Sequence, residues 1–255
     1  FNIEEFDIKL DTEFIGRYFF YYDEVESTNS VLINGKEFIN NGTVILSEYQ
    51  THGRGRRKRK WHAIKEKALT FSILITDLIN FNKINLINLS ASLAVAQAIE
   101  NLYQLKVEVK WPNDVLFNDK KISGILIESS SKGETIEKIV VGIGVNVNQS
   151  NFPGKYLIQP TSIKKELKKI ASRERFLSEI LNIFEELLIQ LTNSKEKILN
   201  DWRSRCKMIG EKVVIYDDKS EEFGIFEDID ENGLLLLRQK EALKTIHLGD
   251  VSLRI

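Results

Sequence analysis

Two segments of helical periodicity, set among short runs that alternate every second residue, constrain the fold of this chain more than any other feature. Leu86, Leu89, Leu93 and Ala96 recur at helical spacing, as do Leu177, Ile180, Phe184, Leu187 and Leu191. Each set predicts an amphipathic helix with one buried stripe. Between them Val107, Val109 and Trp111 alternate with Lys106, Glu108 and Lys110, which predicts a strand with one apolar and one polar face. Pro112 and the Asn113-Asp114 pair interrupt it, Val115 to Phe117 resumes extended structure, and Asn118-Asp119 signals a hairpin into Ile122 to Ile127. The run from Val140 to Asn148 sets valine and isoleucine on one face against Gly142, Gly144, Asn146 and Asn148 on the other. Such a bare face admits close approach of a ligand, and a bulge or tight sheet packing accounts for its glycines equally well. After Trp202, short β-rich pieces at 213–216, 224–226, 234–237 and 245–248 alternate with polar turns. The pattern predicts an α+β chain: a mixed β-sheet domain with flanking helices over 1–203 and a small β-barrel over 204–255.

Composition narrows the function. The 255 residues, 42% hydrophobic, are enough for a substantial core. The 36 basic and 37 acidic residues leave a net charge of −1, so no global field draws the chain to nucleic acid or to an anionic membrane. Cys206 is the single cysteine, which rules out an intramolecular disulfide. No apolar run has the length of a membrane span, and Phe1 is not followed by a leader pattern, so a reducing cytoplasmic setting is expected.

Three constellations carry chemistry. Thr51 to Trp61 reads THGRGRRKRKW, with Arg54, Arg56, Arg57, Lys58, Arg59 and Lys60 close together. Gly53 and Gly55 let the backbone approach an anion, guanidinium groups match phosphate and carboxylate oxygens, and Trp61 offers a stacking surface. A solvated basic loop or a nucleic-acid patch is the bland alternative. The segment is no Walker loop, Gly142 with Gly144 is an incomplete dinucleotide fingerprint, and the three histidines lack metal-ligand spacing. The second constellation, KWPNDV from Lys110, is followed by Lys121 in KISGILIE. Its lysines suit phosphates and its Asn113 and Asp114 suit a metal, while plain turn chemistry explains the same residues. The third, Ser27-Thr28-Asn29, reads locally as a helix cap.

Taken together, Ser27 to Asn29, SEYQTHGRGRRKRKW from Ser47, KWPNDV from Lys110, KISGILIE from Lys121 and VGIGVNVN from Val141 resemble the catalytic domain of biotin protein ligases, in order and in spacing. The resemblance is strong from Tyr22 to Asn148, and the piece after Ser204 is similar to the family's C-terminal domain. It implies a class II synthetase-like sheet followed by an SH3-like barrel. It also implies a two-step reaction in which biotin and ATP, with Mg2+, give biotinyl-5′-adenylate and pyrophosphate, and a lysine of a biotin carboxyl carrier protein then takes the biotinyl group. On this likeness Ser27, Thr28, Asn29, Gln50, Gly53, Arg54, Gly55, Arg56, Lys121, Gly142 and Gly144 hold biotin. Arg56, Arg59, Trp61, Lys110, Asn113, Asp114, Lys121 and Arg254 meet ATP. Arg54, Arg56, Lys110, Asp114 and Lys121 carry catalysis, with Asp114 orienting the acceptor amine, and no metal is fixed by protein alone. A homodimer formed through sheet edges is expected, without DNA or membrane partners.

Some positions depart from the family pattern. Lys58 stands where many members have glycine, and His62-Ala63 replaces a Ser-Pro neighbourhood. The stretch ahead of Ser27 is too short for a winged helix-turn-helix, so repressor activity is not expected. The basic loop, dense in like charge, is expected to be mobile when empty and to close over the adenylate. The rival readings are a lipoate or octanoate ligase of the same superfamily, a nucleic-acid-binding module and a noncatalytic biotin-storing protein.

Overall fold

The computed structural model describes residues 1–77, 83–133, 135–216, 221–247 and 250–253. Its first unit runs α1 (Ile3–Lys9), β1 (Phe19–Val25), α2 (Thr28–Asn34), β2 (Val44–Gln50), β3 (Ala68–Ile75), α3 (Ile84–Tyr103), β4 (Glu108–Lys110), β5 (Asp114–Phe117), β6 (Lys120–Lys132) and β7 (Thr135–Asn146). The helices α4 (Ile163–Leu167), α5 (Arg173–Asn193) and α6 (Lys195–Arg205) follow. The seven strands form one sheet in the order β1-β2-β3-β7-β6-β5-β4. The β1–β2 pair is parallel and the other neighbours are antiparallel, so the sheet is mixed as predicted. A second, antiparallel sheet holds β8 (Lys212–Tyr216), β9 (Glu221–Ile229), β10 (Leu235–Gln239), β11 (Ala242–Ile246) and β12 (Asp250–Leu253), in the order β11-β10-β9-β8-β12.

Alternation along the central strands decides which face is core. Leu69, Phe71, Ile73 and Ile75 of β3 and Val141, Ile143 and Val145 of β7 point into the main cluster, where the apolar stripes of α3 and α5 also lie. Both helices sit where the periodicity placed them. On the opposite face, Leu32 and Phe38 from α2 and its following turn pack with Ile45, Leu74 and Val140. Further along that face the side chains become small: Ser72 pairs with Gly142, Thr70 with Gly144, and Gly124 with Gly144. That strip of small residues leaves the sheet open beside α2.

Local expectations are corrected in three places. The strand predicted from Val107 to Trp111 is only Glu108–Lys110, and on its polar face Glu108 is buried and paired with Lys207. Ser27 does stand at the N-cap of α2, but its side chain makes no capping bond. The backbone N–H of Thr28 is taken instead by Gln50 Oε1, at 2.7 Å. The helices α1, α4 and α6 and the strand β12 were not marked by the patterns, because each is short or, in α6, mostly polar.

Arg173 at the start of α5 forms a fork with buried Glu48 of β2, its NH2 lying 2.9 Å from Oε1, while Tyr21 donates to the same carboxylate at 2.9 Å. Burial alone would raise the Glu48 pKa, but the Arg173 guanidinium and the Tyr21 hydroxyl outweigh it and hold the group below its ordinary value of 4.5. Burial and the same carboxylate push the Tyr21 hydroxyl up to about 12. Arg173→Met removes the main partner of the buried carboxylate, leaving it the Phe1 ammonium at 3.5 Å and the Tyr21 hydroxyl, and a loss of about 3 kcal/mol is expected in urea unfolding. Because the folded pKa is the lower one, this stability is present above the unfolded value and fades as pH falls from 4.5 through the folded pKa. In Glu48→Gln that acid-dependent component should be missing, and an unchanged acid midpoint would contradict the assignment.

Candidate functional site

The strip of small residues floors a cavity of about 840 Å³. Its walls come from the start of α2, the basic loop after β2, the turn between β4 and β5, the first half of β6, and the chain from Phe152 to Pro160, with Tyr216 of β8 at one side. All five motifs therefore face one space. Ser27, Thr28, Asn29, Gln50, Arg54, Gly55, Arg56, Arg59, Trp61, Lys110, Asn113, Asp114, Lys121, Gly142 and Gly144 all line it. Gly53 does not; it lies buried under the loop, where its carbonyl accepts the Trp61 N–H at 3.0 Å and an added Cβ would meet Trp61 O at 2.6 Å. Arg254 lies outside the described residues.

The KWPND segment is a tight reversal in which Lys110 pairs with Asp114, through a cis Trp111–Pro112 bond. Asn113 pins the turn to β6: its Nδ2 donates to Ile125 O at 2.5 Å, and Ile125 N donates back to Asn113 O at 2.9 Å. The next turn, Asn118-Asp119, has positive φ at both residues (47° and 61°), the hairpin geometry that such residues tolerate. It returns Lys121 to the cavity, where Nζ lies 2.6 Å from Asp114 Oδ1 with both groups largely shielded. A Cβ at Gly124 would stand 2.9 Å from Lys121 Nζ, so glycine there keeps the ammonium in place.

The basic loop is closed on itself. Gly55 N donates to Arg59 O at 2.7 Å, Arg54 and Lys60 form an antiparallel bridge, and Arg57 takes a left-handed conformation (φ 54°). Arg54 is tied outward, to Ser30 Oγ at 2.9 Å and to Glu128 Oε2 at 3.0 Å. The two bare positions of β7 are filled by the protein itself. A Cβ at 142 would overlap Asn29 Oδ1, and one at 144 would overlap the Trp61 indole. The Trp61 Nε1, shut off from solvent, has no hydrogen-bond partner among the described residues. An orphaned donor beside the cavity costs about 1–3 kcal/mol, which a ligand acceptor would recover.

Several contributors carried no sequence signal. Buried Ser72, whose single O–H donates to Asn29 Oδ1 at 2.5 Å and whose oxygen lies 2.6 Å from Thr28 Oγ1, reads as an ordinary strand residue. Gln149, also buried, accepts from Ile64 N at 3.2 Å and donates to Asn146 Oδ1 at 2.9 Å, joining the exit of the basic loop to the end of β7. The wall from Phe152 to Pro160 ends on Lys121: Lys121 N donates to Gln159 O at 2.8 Å and Thr161 N to Lys121 O at 2.9 Å. Among the described residues no group of three or more His, Cys, Asp or Glu side chains could hold a metal. No described helix is long and apolar enough to cross a membrane.

Residues 21–146 match the biotin/lipoate A/B protein ligase family, and residues 208–254 the biotin protein ligase C-terminal domain. The bifunctional ligase/repressor BirA of Bacillus subtilis is 32% identical over 251 residues, 96% of this chain and 76% of that protein. The biotin--[acetyl-CoA-carboxylase] ligase of Paracoccus denitrificans is 29% identical, over 89% of this chain and 96% of its own length. Among solved structures, Aquifex aeolicus biotin protein ligase in complex with biotin and ATP superposes with a TM-score of 0.82 at 30% identity, covering 93% of this chain and 99% of that one.

The placement of Trp61 on Gly144 is testable without any ligand. Trp111 and Trp202 are buried in the core, so acrylamide quenching of tryptophan emission reads chiefly Trp61. A valine at 144 would strain the sheet by about 1–3 kcal/mol if the indole stayed, and the indole rides on a loop that can yield. Gly144→Val should raise quenching, and Trp61→Phe in the same background should remove the rise. Equal quenching in the wild type and Gly144→Val would contradict the contact.

Proposed function

We propose a function for a chain that belongs to the biotin/lipoate A/B protein ligase family: it is a biotin protein ligase, using ATP to activate biotin and attach it to a lysine of a biotin carboxyl carrier protein. The carrying observation is that one cavity gathers the basic loop, the Lys110–Asp114 turn and Lys121, which is what a reaction between two anions needs. In the first step a biotin carboxylate oxygen attacks the α-phosphorus of ATP, the bond to the bridging oxygen breaks, and pyrophosphate leaves. In the second, the carrier amine attacks the carbonyl carbon of the mixed anhydride, AMP departs, and the amine loses a proton.

Arg56 and Lys121 are assigned to the charge that develops between the two anions, with Arg54 and Lys110 flanking them. Ser27, Thr28, Asn29 and Gln50, with Gly53 and Gly55 shaping the loop, are assigned to the ureido ring, whose donors and acceptors suit hydroxyl and amide partners. Its apolar tail is assigned to the Gly142–Gly144 strip. Trp61 and Arg59 are assigned to the nucleotide, as is Arg254. Asn113 and Asp114 are the oxygen donors for phosphate-bound Mg2+, which enters with ATP as part of the substrate. Asp114 is also the group nearest Lys121 that can orient an incoming amine.

A catalytic unit over 1–203 and a small unit over 204–255 are proposed, although the division falls in the last turn of α6. Homodimerisation along a sheet edge is supported by β6, which pairs with β5 only as far as Gly124 and so leaves the edge beyond it unpaired by β5. A cytoplasmic setting suits an ATP-using enzyme whose single cysteine is buried, with its thiol pushed up to about 11 by that burial. A lipoate or octanoate ligase is disfavoured by the relatives, which are biotin ligases. A nucleic-acid module is disfavoured because Arg54, Arg56, Arg59 and Lys60 line one cavity together with Lys110 and Lys121, and because the chain as a whole carries no net basic charge.

Purified chain mixed with labelled biotin, MgATP and a carrier domain should release pyrophosphate and label the carrier, and omission of ATP should abolish both. Lys121→Ala should slow adenylate formation by roughly 10²–10³-fold, the cost of one preorganised donor to developing charge. Asp114→Asn should slow transfer of preformed adenylate. Full transfer in Asp114→Asn would remove the amine-orienting role, and full activity in Lys121→Ala would remove the assignment of Lys121.

A further inference from the structure

Asn29 and Arg54 belong to motifs 25 positions apart in sequence, and both end on the same carboxylate oxygen. Glu128 Oε2 accepts from Asn29 Nδ2 at 2.8 Å and from Arg54 NH2 at 3.0 Å. Asn29 Nδ2 also donates to Leu126 O at 3.1 Å. A carbonyl and a carboxylate can only accept, so the NH2 end of the Asn29 amide must face β6. Both of its N–H bonds are then used within the protein. Oδ1 lies on the side of Ser72 and Gly142, where it accepts from Ser72 Oγ at 2.5 Å and keeps a second lone pair, and Asn29, only 3% exposed, lines the cavity. The one hydrogen-bonding capacity this amide retains for a ligand is that of an acceptor.

We propose that Glu128 is a positioning residue for ligand recognition: it locks the Asn29 amide so that an oxygen, and not an NH2 group, meets the bound molecule, and it fastens the first arginine of the basic loop beside it. The pocket thereby selects a ligand with an N–H donor at that point, as the cyclic urea of biotin supplies, and rejects a ring that offers only acceptors. This rests on the biotin reading above.

The Arg54–Glu128 pair is half exposed, 45% and 30%, so its loss should leave the fold almost untouched. Loss of the lock should not. In the full chain, Glu128→Ala should weaken biotin binding in calorimetry by about tenfold, the scale of one well-made hydrogen bond. The KM for ATP and the melting temperature should stay near wild type. Asn29→Asp sets a second carboxylate against Glu128 and should weaken biotin at least as much. Adding Glu128→Gln restores a donor in the reverse direction and should recover a large part of that loss, which a merely structural role would not produce.

Wild-type affinity in Glu128→Ala would overturn the proposal while leaving the biotin reading intact. So would equal losses for biotin and ATP accompanied by a lowered melting temperature, or the absence of recovery in the double variant. A wild-type chain that does not bind biotin would overturn both readings.

Discussion

The dominant physical constraint on this molecule is the repulsion among the cations that line its cavity. Arg54, Arg56, Arg59, Lys60, Lys110 and Lys121 surround a single space, and positive charges brought together in a shielded site raise one another's energy. The structure meets that cost locally. Lys121 is held by Asp114, Arg54 by Glu128, and Lys65 at the loop's exit by Asp23. These carboxylates stand behind or beside the cations, so the cavity keeps its capacity for two anionic reactants. The near balance of acidic and basic residues over the whole chain is therefore consistent with a strongly basic site.

That arrangement needs a rigid floor. The strands β3, β7 and β6 supply it, since each has a neighbour on both sides and their core faces are filled by the main hydrophobic cluster. The opposite face is kept small at Ser72, Gly124, Gly142 and Gly144, and each of the three glycines makes room for a named neighbour: Asn29 over Gly142, Trp61 over Gly144, Lys121 over Gly124. The missing side chains thus set the positions of the polar and aromatic ones. A methyl group at any of the three would displace a residue assigned to substrate.

Features that depend on local periodicity were legible in the sequence. The spacing of Leu86 to Ala96 and of Leu177 to Leu191 gave α3 and α5, and Asn118-Asp119 gave the β5–β6 turn, because these signals act within a few residues. The chemistry-bearing motifs were legible from residue type alone. What escaped were pairings across long stretches of chain, such as Glu48 with Arg173, Asn29 with Glu128, and Ile64 with Gln149. Nothing in the neighbourhood of Glu48 distinguishes a buried, paired carboxylate from a solvated one, and the same holds for Glu108 on the polar face of its strand. The glycines of β7 were half legible: the bare face was visible, but not that Asn29 and Trp61 would occupy it.

The geometry of the basic loop links these points. Its carbonyl at Gly53 accepts from Trp61, Gly55 from within donates to Arg59, and Arg54 bridges to Lys60, so the segment is a closed ring of chain fastened at its neck. A loop closed in this way moves about its neck and carries its arginines together. Two of its outside attachments differ in kind: Arg54 to Glu128 is a half-exposed ion pair, weak and screened by salt, while the backbone N–H of Ile64 donates to the side chain of buried Gln149. A bound anion can take over the arginine contacts of the exposed tie, while the exit of the loop stays fastened to Gln149, just beyond β7.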